Sequence, residues 1–375
     1  MRHTFSRRCH VALAHVTIAP ARHDAPDPGP LGWRAMRDRR PTLRDVARAA
    51  GISSAQASMA LNGTGRVSAA TAARVKEIAQ ELGYSPNPTA RALRTGNTAT
   101  FGLVVRNLPN SYFLDVIRGM DDVCAESGAT LLIMESEYDH TQEHTAVERM
   151  AKSGVSGLAI APIGGGTALD WWREHAPGTP LVLLNSAPHD EFVTIGPDGP
   201  LAVEQALGEF RRLGHRRVAF VGAPVALQAD TDRAARFTEL CDAWDMQGEL
   251  VESWLTFDAI EHTIGALLDR PDGPRAFLMN SDYTASAVYV AARERGLRIG
   301  YDVSVIGHDA IPTSQLLAPP LTTIGVDRRE VGRAAAGALV TLLDGGRPRN
   351  GLLPTALVAG SSVADHSADS ADTHA

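Results

Sequence analysis

Apolar residues recur at helical spacing in three short blocks between residues 43 and 82. Each block stops at a residue that ends helices, namely Gly51, Asn62 or Gly83. Ser53 opens the second block, and Gln56 three residues later completes a capping-box pattern. Three short helices joined by tight turns predict an all-α helix-turn-helix domain, although the turn alone also fits a purely structural pair of helices.

From about residue 99, the pattern changes to short apolar runs that alternate with amphipathic helical stretches. Most runs are apolar on both faces, as strands inside a parallel sheet must be. The alternation predicts βαβ units and an α/β fold of doubly wound parallel sheets, long enough for two lobes with a cleft between them. The predicted strands are 101–105, 130–134, 157–161, 181–184, 217–221, 276–279 and 303–306, and the predicted helices are 113–126, 201–213, 233–244, 282–295 and 328–343.

These patterns divide the chain into five parts. We expect a disordered extension rich in Pro and Arg, a helix-turn-helix domain, a hinge, a two-lobed domain and a disordered tail, at 1–40, 41–84, 85–98, 99–361 and 362–375. One lobe is expected at about 99–197 plus 326–346. The other is expected at about 198–325 plus 347–361.

The charge of the chain is unevenly distributed. The 375 residues carry a formal charge of −7, but residues 1–96 contain 15 Lys and Arg against 6 Asp and Glu, which gives +9 there and −16 in the remainder. A basic end on an acidic body fits a DNA-binding domain joined to a sensor domain, whereas an incidental basic tail is the simpler alternative.

Cysteine usage and hydropathy bound the location and the chemistry. Cys9, Cys124 and Cys241 provide neither a disulfide framework nor a zinc-binding spacing, so a reducing cytoplasm is expected. No apolar run is long enough to span a membrane, and two histidines interrupt residues 6–19, which faintly resemble an export signal. Because no nucleophile–base pair, metal cluster or phosphate-binding loop stands out, we expect neither an enzyme nor a cofactor.

A long ordered series of residues connects the first segment to a known family. The series comprises Leu43, Asp45-Val46-Ala47, Ala50-Gly51-Ile52-Ser53, Ser58, Leu61-Asn62-Gly63, Arg66-Val67-Ser68, Thr71, Val75, Ala79, Leu82-Gly83-Tyr84, Pro86-Asn87, Ala90-Arg91-Ala92-Leu93 and Thr95-Gly96. With it, residues 41–96 closely resemble the DNA-binding end of the LacI/GalR family of bacterial transcription regulators. Residues 178–185, 213–220, 302–307 and 321–324 extend the resemblance to the periplasmic-binding-protein-like sensor of that family, over about 99–361.

The resemblance implies which residues of the first domain contact DNA. The second helix is the recognition helix, and Ser54, Ala55 and Met59 face base edges in the major groove. Ala55 and Met59 depart from the family pattern, which often has a long polar residue and an arginine there, and they can contact a thymine methyl instead. Helix packing is the alternative for Ala55. Ser53, Ser58 and Asn62 are placed for phosphates, and Thr42, the N-cap of the first helix, completes the set.

The same resemblance makes the hinge a short helix that folds on DNA. Leu93 then inserts into the minor groove from each of two subunits, with Ala90 packed beside it, although a linker leucine without a special role is the alternative. Asn87 and Arg91 contact the DNA backbone or the minor groove. One such domain makes too few contacts for tight binding, so a homodimer on a near-palindromic operator in double-stranded DNA is expected, with no membrane partner.

Polar residues follow several predicted strand ends, where open α/β sheets bind ligands. With the resemblance, the predicted effector-binding residues are Tyr112, Phe113, Asn185, Asp198, Arg233, Ser281, Asp282 and Asp309. Carboxylates, an arginine and aromatic rings suit a sugar or sugar derivative. Helix capping is the alternative for Asp198 and Asp309, and an inert surface position is the alternative for Arg233. Ser186, Gly199 and Ser281 depart from the family pattern and leave the identity of the effector open.

Together, these observations predict a DNA-binding transcriptional regulator, of the repressing kind usual in the family, whose operator affinity depends on a small polar effector. An exported solute-binding protein is the first alternative, and residues 41–96 argue against it. A regulator that uses a nucleoside-type corepressor is the second.

Overall fold

The structure is a computed structural model, and it describes residues 43–62, 67–82, 99–164, 166–227 and 231–367. The chain divides into two compact units, one ending at Ala90 and the other beginning at Arg91. The expected extension at 1–40 and the expected hinge at 85–98 lie outside the described residues.

The first unit contains three helices around a small apolar core. Helix α1 spans Leu43–Ala50, α2 spans Ser54–Asn62 and α3 spans Ala69–Glu81. Gly51 has a φ of +68°, the left-handed conformation that ends α1. The capping box is present, since the Ser53 N–H donates to Gln56 Oε1 at 3.1 Å and the Gln56 N–H donates to Ser53 Oγ at 3.2 Å. The predicted helix-turn-helix is therefore confirmed. Its core comprises Val46, Ala47, Ala57, Ala60, Val75 and Ala79.

The second unit begins with a lobe built on a six-stranded parallel sheet. The strands lie in the order β11-β5-β4-β3-β1-β2, and helices cover both faces. The strands are β1 Thr100–Val105, β2 Thr130–Glu135, β3 Gly157–Ile160, β4 Leu181–Leu184, β5 Val193–Pro197 and β11 Gly351–Leu353. The helices are α4 Tyr112–Ser127, α5 His140–Lys152, α6 Thr167–His175 and α11 Arg328–Leu343.

The other lobe repeats this architecture with strand order β12-β10-β9-β8-β6-β7, in which β12 alone runs antiparallel to its neighbour. The strands are β6 Arg217–Gly222, β7 Gln247–Glu252, β8 Ala276–Met279, β9 Ser304–Asp309, β10 Thr322–Gly325 and β12 Ala356–Val358. The helices are α7 Gly199–Arg212, α8 Thr231–Ala243, α9 Phe257–Asp269 and α10 Asp282–Glu294. The predicted doubly wound α/β fold is confirmed, and the chain passes between the sheets after β5, after β10 and after β11.

The lobe boundary near the end of the chain was predicted wrongly. Residues 347–361 were assigned to the second lobe, but Gly351–Leu353 pairs with β5 of the first, and the Asp198 N–H donates to the Leu353 carbonyl at 2.9 Å. The short strand covers the outer edge of β5, whose backbone groups would otherwise lie unpaired. Three residues carry no periodic pattern, so the sequence gives no signal for this pairing.

The tail was also predicted wrongly as far as residue 367. The Ser362 hydroxyl donates to the Val305 carbonyl at 2.6 Å and accepts from the Thr322 N–H at 2.8 Å. The Ala364 N–H donates to Ser304 Oγ at 2.9 Å, and the Ala364 carbonyl lies 2.9 Å from His215 Nε2. These bonds anchor the segment to the second lobe. Its polar composition resembles a solvated tail because the attachment uses backbone and hydroxyl groups and not apolar side chains.

Helices α4 and α11 of the first lobe are in close backbone contact. A Cβ atom on Gly119 would collide with the carbonyl group of Arg329, and a Cβ atom on Gly332 would collide with that of Val116. Each helix therefore places a glycine where the other helix approaches most closely. Gly337, further along α11, has open space around it.

We predict that Gly332→Ala lowers the free energy of unfolding by about 1–3 kcal/mol, because the added methyl group must separate α4 from α11. Gly337→Ala is the matched control. Since its methyl group enters open space on the same helix, it should leave stability unchanged or raise it by up to ~1 kcal/mol. Urea unfolding followed by tryptophan fluorescence measures both. Equal effects of the two substitutions would contradict the close-contact explanation.

A buried carboxyl group supports the loop that follows β3. Glu143 on α5 is 2% exposed, and its Oε1 accepts from the Ile163 N–H at 2.7 Å. Burial raises the pKa of Glu143 to about 7, and the nearby charge of Arg106 opposes this shift only in part. The supported loop reaches the second lobe, because Gly164, at a φ of +56°, packs against the backbone of Ala226.

The raised pKa has a defined effect on stability. The folded protein holds a proton on Glu143 that the unfolded chain releases above about pH 4.5, so the stability of the wild type falls between about pH 4.5 and 7. Glu143→Gln keeps an acceptor for the Ile163 N–H and cannot ionise. We predict that it is more stable than the wild type by ~1–3 kcal/mol at pH 8, with the difference vanishing near pH 4.5.

Denaturant unfolding at a series of pH values measures this difference. Glu148→Gln on the same helix is the control, because Lys152 lowers the pKa of the Glu148 carboxyl and does not raise it. This variant should therefore lose stability with rising pH as the wild type does. A Glu143→Gln variant with the pH dependence of the wild type would show that Glu143 is not the responsible group.

Candidate functional site

A cavity lies between the two lobes of the second unit, at the carboxyl ends of their strands. The space between its lining atoms, counted with the solvent at its mouth, is about 580 Å³. Most lining side chains carry hydrogen-bonding groups. They come from Arg106, Asn110, Tyr112, Tyr138, Asn185, Ser186, Asp232, Arg233, Asn280, Ser281, His308 and Asp309, with Phe113, Pro197 and Gly199 completing the wall.

Hydrogen bonds fix the wall that the first lobe contributes. The Tyr112 hydroxyl donates to Asn185 Oδ1 at 2.8 Å, and the Tyr112 N–H donates to Asn110 Oδ1 at 3.1 Å. Burial, together with the charge of Asp309, raises the pKa of Tyr112 well above its usual value, so the hydroxyl remains a donor. Phe113 packs edge-to-face on the Tyr112 ring, with 5.2 Å between centroids.

Arg106, at the end of β1, holds two neighbouring strand ends in place. Its Nε donates to the Pro162 carbonyl after β3 at 3.0 Å, and its Nη2 donates to the Asn185 carbonyl after β4 at 2.7 Å. Asn185 has a φ of +49°, a conformation that non-glycine residues adopt rarely and that clusters at functional sites. This arrangement brings the amide group of Asn185 to the cavity together with a positive charge.

Arg233 on α8 is the main cation of the opposite wall. It is 7% exposed, its Nη1 donates to the Asn280 carbonyl at 3.2 Å, and its guanidinium lies over the Phe220 ring at 5.8 Å from the centroid. Gly199 is needed at the start of α7, because a Cβ atom there would lie 2.9 Å from Arg233 Cγ. The guanidinium is therefore held at the strand ends and not in solvent.

Asp309 ends β9 in a strained conformation, with a φ of +114°. Arg328 stabilises this turn by donating to the carbonyl groups of Asp309 and Ala310 at 2.6 and 2.7 Å. The carboxylate of Asp309 lies 3.1 Å from His308 Nδ1 and a longer 3.5 Å from Asn110 Nδ2 of the first lobe. It thus meets polar groups of both lobes.

The structure brings six of the eight predicted effector residues to this cavity: Tyr112, Phe113, Asn185, Arg233, Ser281 and Asp309. It does not bring Asp198 there. The Asp198 carboxylate caps α7 by accepting from the Leu201 N–H at 3.0 Å, which is the alternative considered for it.

Asp282 is the second predicted effector residue that does not line the cavity. Its carboxyl group is 2% exposed below the cavity and accepts from the Ile311 N–H and the hydroxyls of Ser314 and Thr323. Burial and the charge of Asp309 raise the pKa of Asp282 to about 7. Its position at a strand end was predicted correctly, but three internal donors occupy its oxygen atoms, so the group organises the loop after β9.

Sequence reasoning missed several lining residues. Arg106 and Asn280 are the residues directly after strands β1 and β8, so the rule for strand ends could have found them. His308 directly precedes the predicted Asp309 in β9 but was not itself predicted to line the cavity. Tyr138 follows β2 in a turn with a φ of +56°, which no apolar pattern marks.

The DNA-binding residues predicted on α2 are only partly described. Ser53, Ser54 and Met59 are exposed, and 42% of the surface of Met59 is accessible, as a groove contact requires. The backbones of Ala55, Ser58 and Asn62 belong to α2. Thr42, Asn87, Ala90, Arg91 and Leu93 lie outside the described residues. Within the described residues, no helix has the length and apolar composition needed to cross a membrane, and no three His, Cys, Asp or Glu side chains form a metal-binding group.

Comparisons with known proteins agree with both units. Residues 42–87 match the family of bacterial regulatory proteins of the lacI type, and residues 207–363 match the periplasmic binding protein-like domain. The Escherichia coli (strain K12) HTH-type transcriptional repressor CytR is 29% identical over 309 residues, which cover 81% of this chain and 90% of the relative. The ribose operon repressor of the same strain is 29% identical over 312 residues, which cover 80% and 92%.

A solved structure shows the same likeness. The crystal structure of the lac repressor dimer bound to operator and the anti-inducer ONPF has a TM-score of 0.76 and 25% sequence identity. The match covers 87% of this chain and 100% of that one. The helix-turn-helix, the two-lobed fold and these matches lead to one conclusion: the chain carries a DNA-binding domain of the lacI type of bacterial regulatory proteins and a periplasmic binding protein-like domain, and it is homologous to the repressors named above.

Proposed function

We propose that this protein is a transcriptional repressor whose affinity for a near-palindromic operator is controlled by a small polar effector in the cavity between the lobes. The observation that carries the proposal is a polar cavity with walls from both lobes, in a chain that also contains a helix-turn-helix. Its relatives are transcriptional repressors and not enzymes.

The effector acts by contacting both walls at once. Tyr112 and Asn185 lie on one wall, whereas Arg233 and Asp309 lie on the other, so a molecule that bonds to both walls favours one arrangement of the lobes. Such coupling typically amounts to 1–3 kcal/mol, or about 5- to 150-fold in operator affinity. Phe113 and Ser281 complete the contact set, and Asp282 and Asp198 hold its loops.

We propose a neutral sugar or sugar derivative as the effector. Amide, hydroxyl, carboxylate and guanidinium groups beside an aromatic ring form the paired hydrogen bonds and the apolar contact that a polyhydroxy ring requires. The relative named as the ribose operon repressor supports this choice of ligand class.

The protein acts on DNA as a homodimer in the cytoplasm. In this proposal, α2 enters the major groove of each half-site, where Ser54, Ala55 and Met59 contact bases and Ser53, Ser58 and Asn62 contact phosphates. Thr42 belongs to the same proposed set of DNA-binding residues. In the hinge, Leu93 of each subunit inserts into the minor groove with Ala90 packed beside it, and Asn87 and Arg91 contact the DNA backbone or the minor groove.

Selection of genomic fragments with the purified protein at physiological salt, followed by footprinting, tests this function. We expect one enriched near-palindromic site that the protein protects. Binding at that site should weaken steeply as salt rises, because phosphate contacts release counterions. Fragments recovered without a common sequence, both alone and with candidate sugars added, would contradict the proposal.

We predict that Met59 contacts a thymine methyl group, because its exposed thioether cannot pair with base edges. Met59→Ala should weaken binding to the selected operator about three- to tenfold, the effect of losing one buried apolar contact. Uracil in place of the contacted thymine should produce the same loss. Fluorescence anisotropy with single uracil substitutions measures both changes, and uracils at the other thymines are the controls. If the loss from Met59→Ala and the loss from uracil were additive at every thymine position, the proposed contact would be contradicted.

We predict that Arg233→Ala removes the response of operator binding to the effector and leaves affinity for the operator within about twofold. Arg233 lies in the cavity, whereas Arg236, one turn further along α8, pairs outside it with Glu204 and Glu239. Arg236→Ala is therefore the matched control and should respond as the wild type does. Titration of the operator complex with the effector measures the response. An Arg233→Ala variant that still responds would remove Arg233 from the binding set.

A further inference from the structure

His308, at the end of β9, combines deep burial with an unsatisfied polar atom. It lines the cavity and is 6% exposed, and its Nε2 has no hydrogen-bond partner in the protein. Most buried polar atoms in folded proteins are hydrogen-bonded, so each exception needs an explanation. The explanation here depends on which groups surround the ring.

One side of the ring is mostly apolar. His308 borders a small pocket there with the side chains of Ala202, Phe220, Leu278 and Ile324, and Arg233, which also lines this pocket, makes no hydrogen bond to Nε2. The other polar groups around the ring line the cavity between the lobes, so a partner for Nε2 is expected on that side.

The neighbouring carboxylate determines what kind of partner fits. His308 Nδ1 lies 3.1 Å from Asp309 Oδ1, and because a carboxylate oxygen accepts hydrogen bonds, Nδ1 carries the hydrogen. In the neutral ring Nε2 then holds a lone pair. A lone pair at Nε2 accepts a hydrogen bond, so the partner that fits it is a donor such as a hydroxyl group.

We propose that His308 determines effector specificity: its Nε2 accepts a hydrogen bond from a hydroxyl group of a neutral polyhydroxy ligand. Carboxylate and phosphate oxygens, which only accept, are disfavoured at this point. The inference rests on the proposed function. It adds the atom that recognises the ligand, His308 Nε2, and the chemical group that this atom selects, a hydroxyl. Asp309 acts partly through His308, because it fixes the ring tautomer.

Side chains that place a polar group near one of the two ring-nitrogen positions, or near neither, provide the test. Gln places a polar atom near the position of Nε2, Asn places one near that of Nδ1, and Phe keeps the ring without either. We measure binding of D-ribose, D-glucose, D-galactose, lactose and cellobiose to the full-length wild type and to His308→Gln, His308→Asn and His308→Phe by titration calorimetry. His262→Asn, an exposed histidine on α9, is the control.

We expect at least one of these sugars to bind the wild type and the His262→Asn control with equal affinity. Affinity for that sugar should fall about 10- to 100-fold in His308→Asn and His308→Phe, and it should stay within about threefold in His308→Gln. If His308 only supported the fold, His308→Gln and His308→Asn would bind the sugar with the same affinity. Equal affinities in these two variants would overturn the role of His308 and leave the proposed function intact.

Two further results separate the possibilities. A wild type that binds none of the five sugars would overturn the ligand class named here and the sugar effector of the proposed function. Nitrogen-15 NMR of histidine-labelled protein, with His308→Phe identifying the signal, reports the tautomer without a ligand. A lone pair on Nε2 supports the proposal, and a hydrogen on Nε2, whether Nδ1 also carries one or not, overturns it.

Discussion

The carboxyl ends of parallel strands all lie at one edge of a sheet, and this constraint determines where the second unit can bind a small molecule. The chain builds two such sheets and passes between them after β5, β10 and β11. The residues that follow the strands therefore meet in one cleft, although they are far apart in sequence. Arg106, Asn185, Asn280 and Asp309 reach the cavity for this reason.

A polar cavity inside a protein is stable only when its groups are held by other polar groups. Here the support comes largely from the backbone and from buried acids. Arg106 bonds to two carbonyl groups, Arg328 bonds to two more behind Asp309, and Asp282 accepts from three donors below the site. The positive φ values of Asn185 and Asp309 cost ~1–3 kcal/mol each. Side chains held this firmly are suited to detect a ligand, because little ordering remains to be done when it binds.

The sequence predicts those parts of the structure that repeat or that follow local chemistry. Fully buried strands such as Leu181–Leu184 and Ala276–Met279, and the capping box at Ser53, carry their own signals and were placed correctly. Features that depend on partners far away in the sequence carry no such signal. The strand Gly351–Leu353 is defined only by the edge of β5, and the segment at Ser362 only by the backbone of the second lobe. Asp198 and Asp282 show the same limit, because a carboxylate at a strand end can face a ligand, cap a helix or organise a loop, and only its neighbours decide.

The central claim is that the occupant of the cleft controls DNA binding, and reciprocal linkage tests it most directly. The operator affinity of the full-length protein is measured with and without a saturating sugar, and sugar affinity is measured with and without operator. We predict a change of about 5- to 150-fold in operator affinity, with the same factor appearing in the affinity for the sugar. A sugar that binds in the cavity and leaves operator affinity unchanged would contradict it.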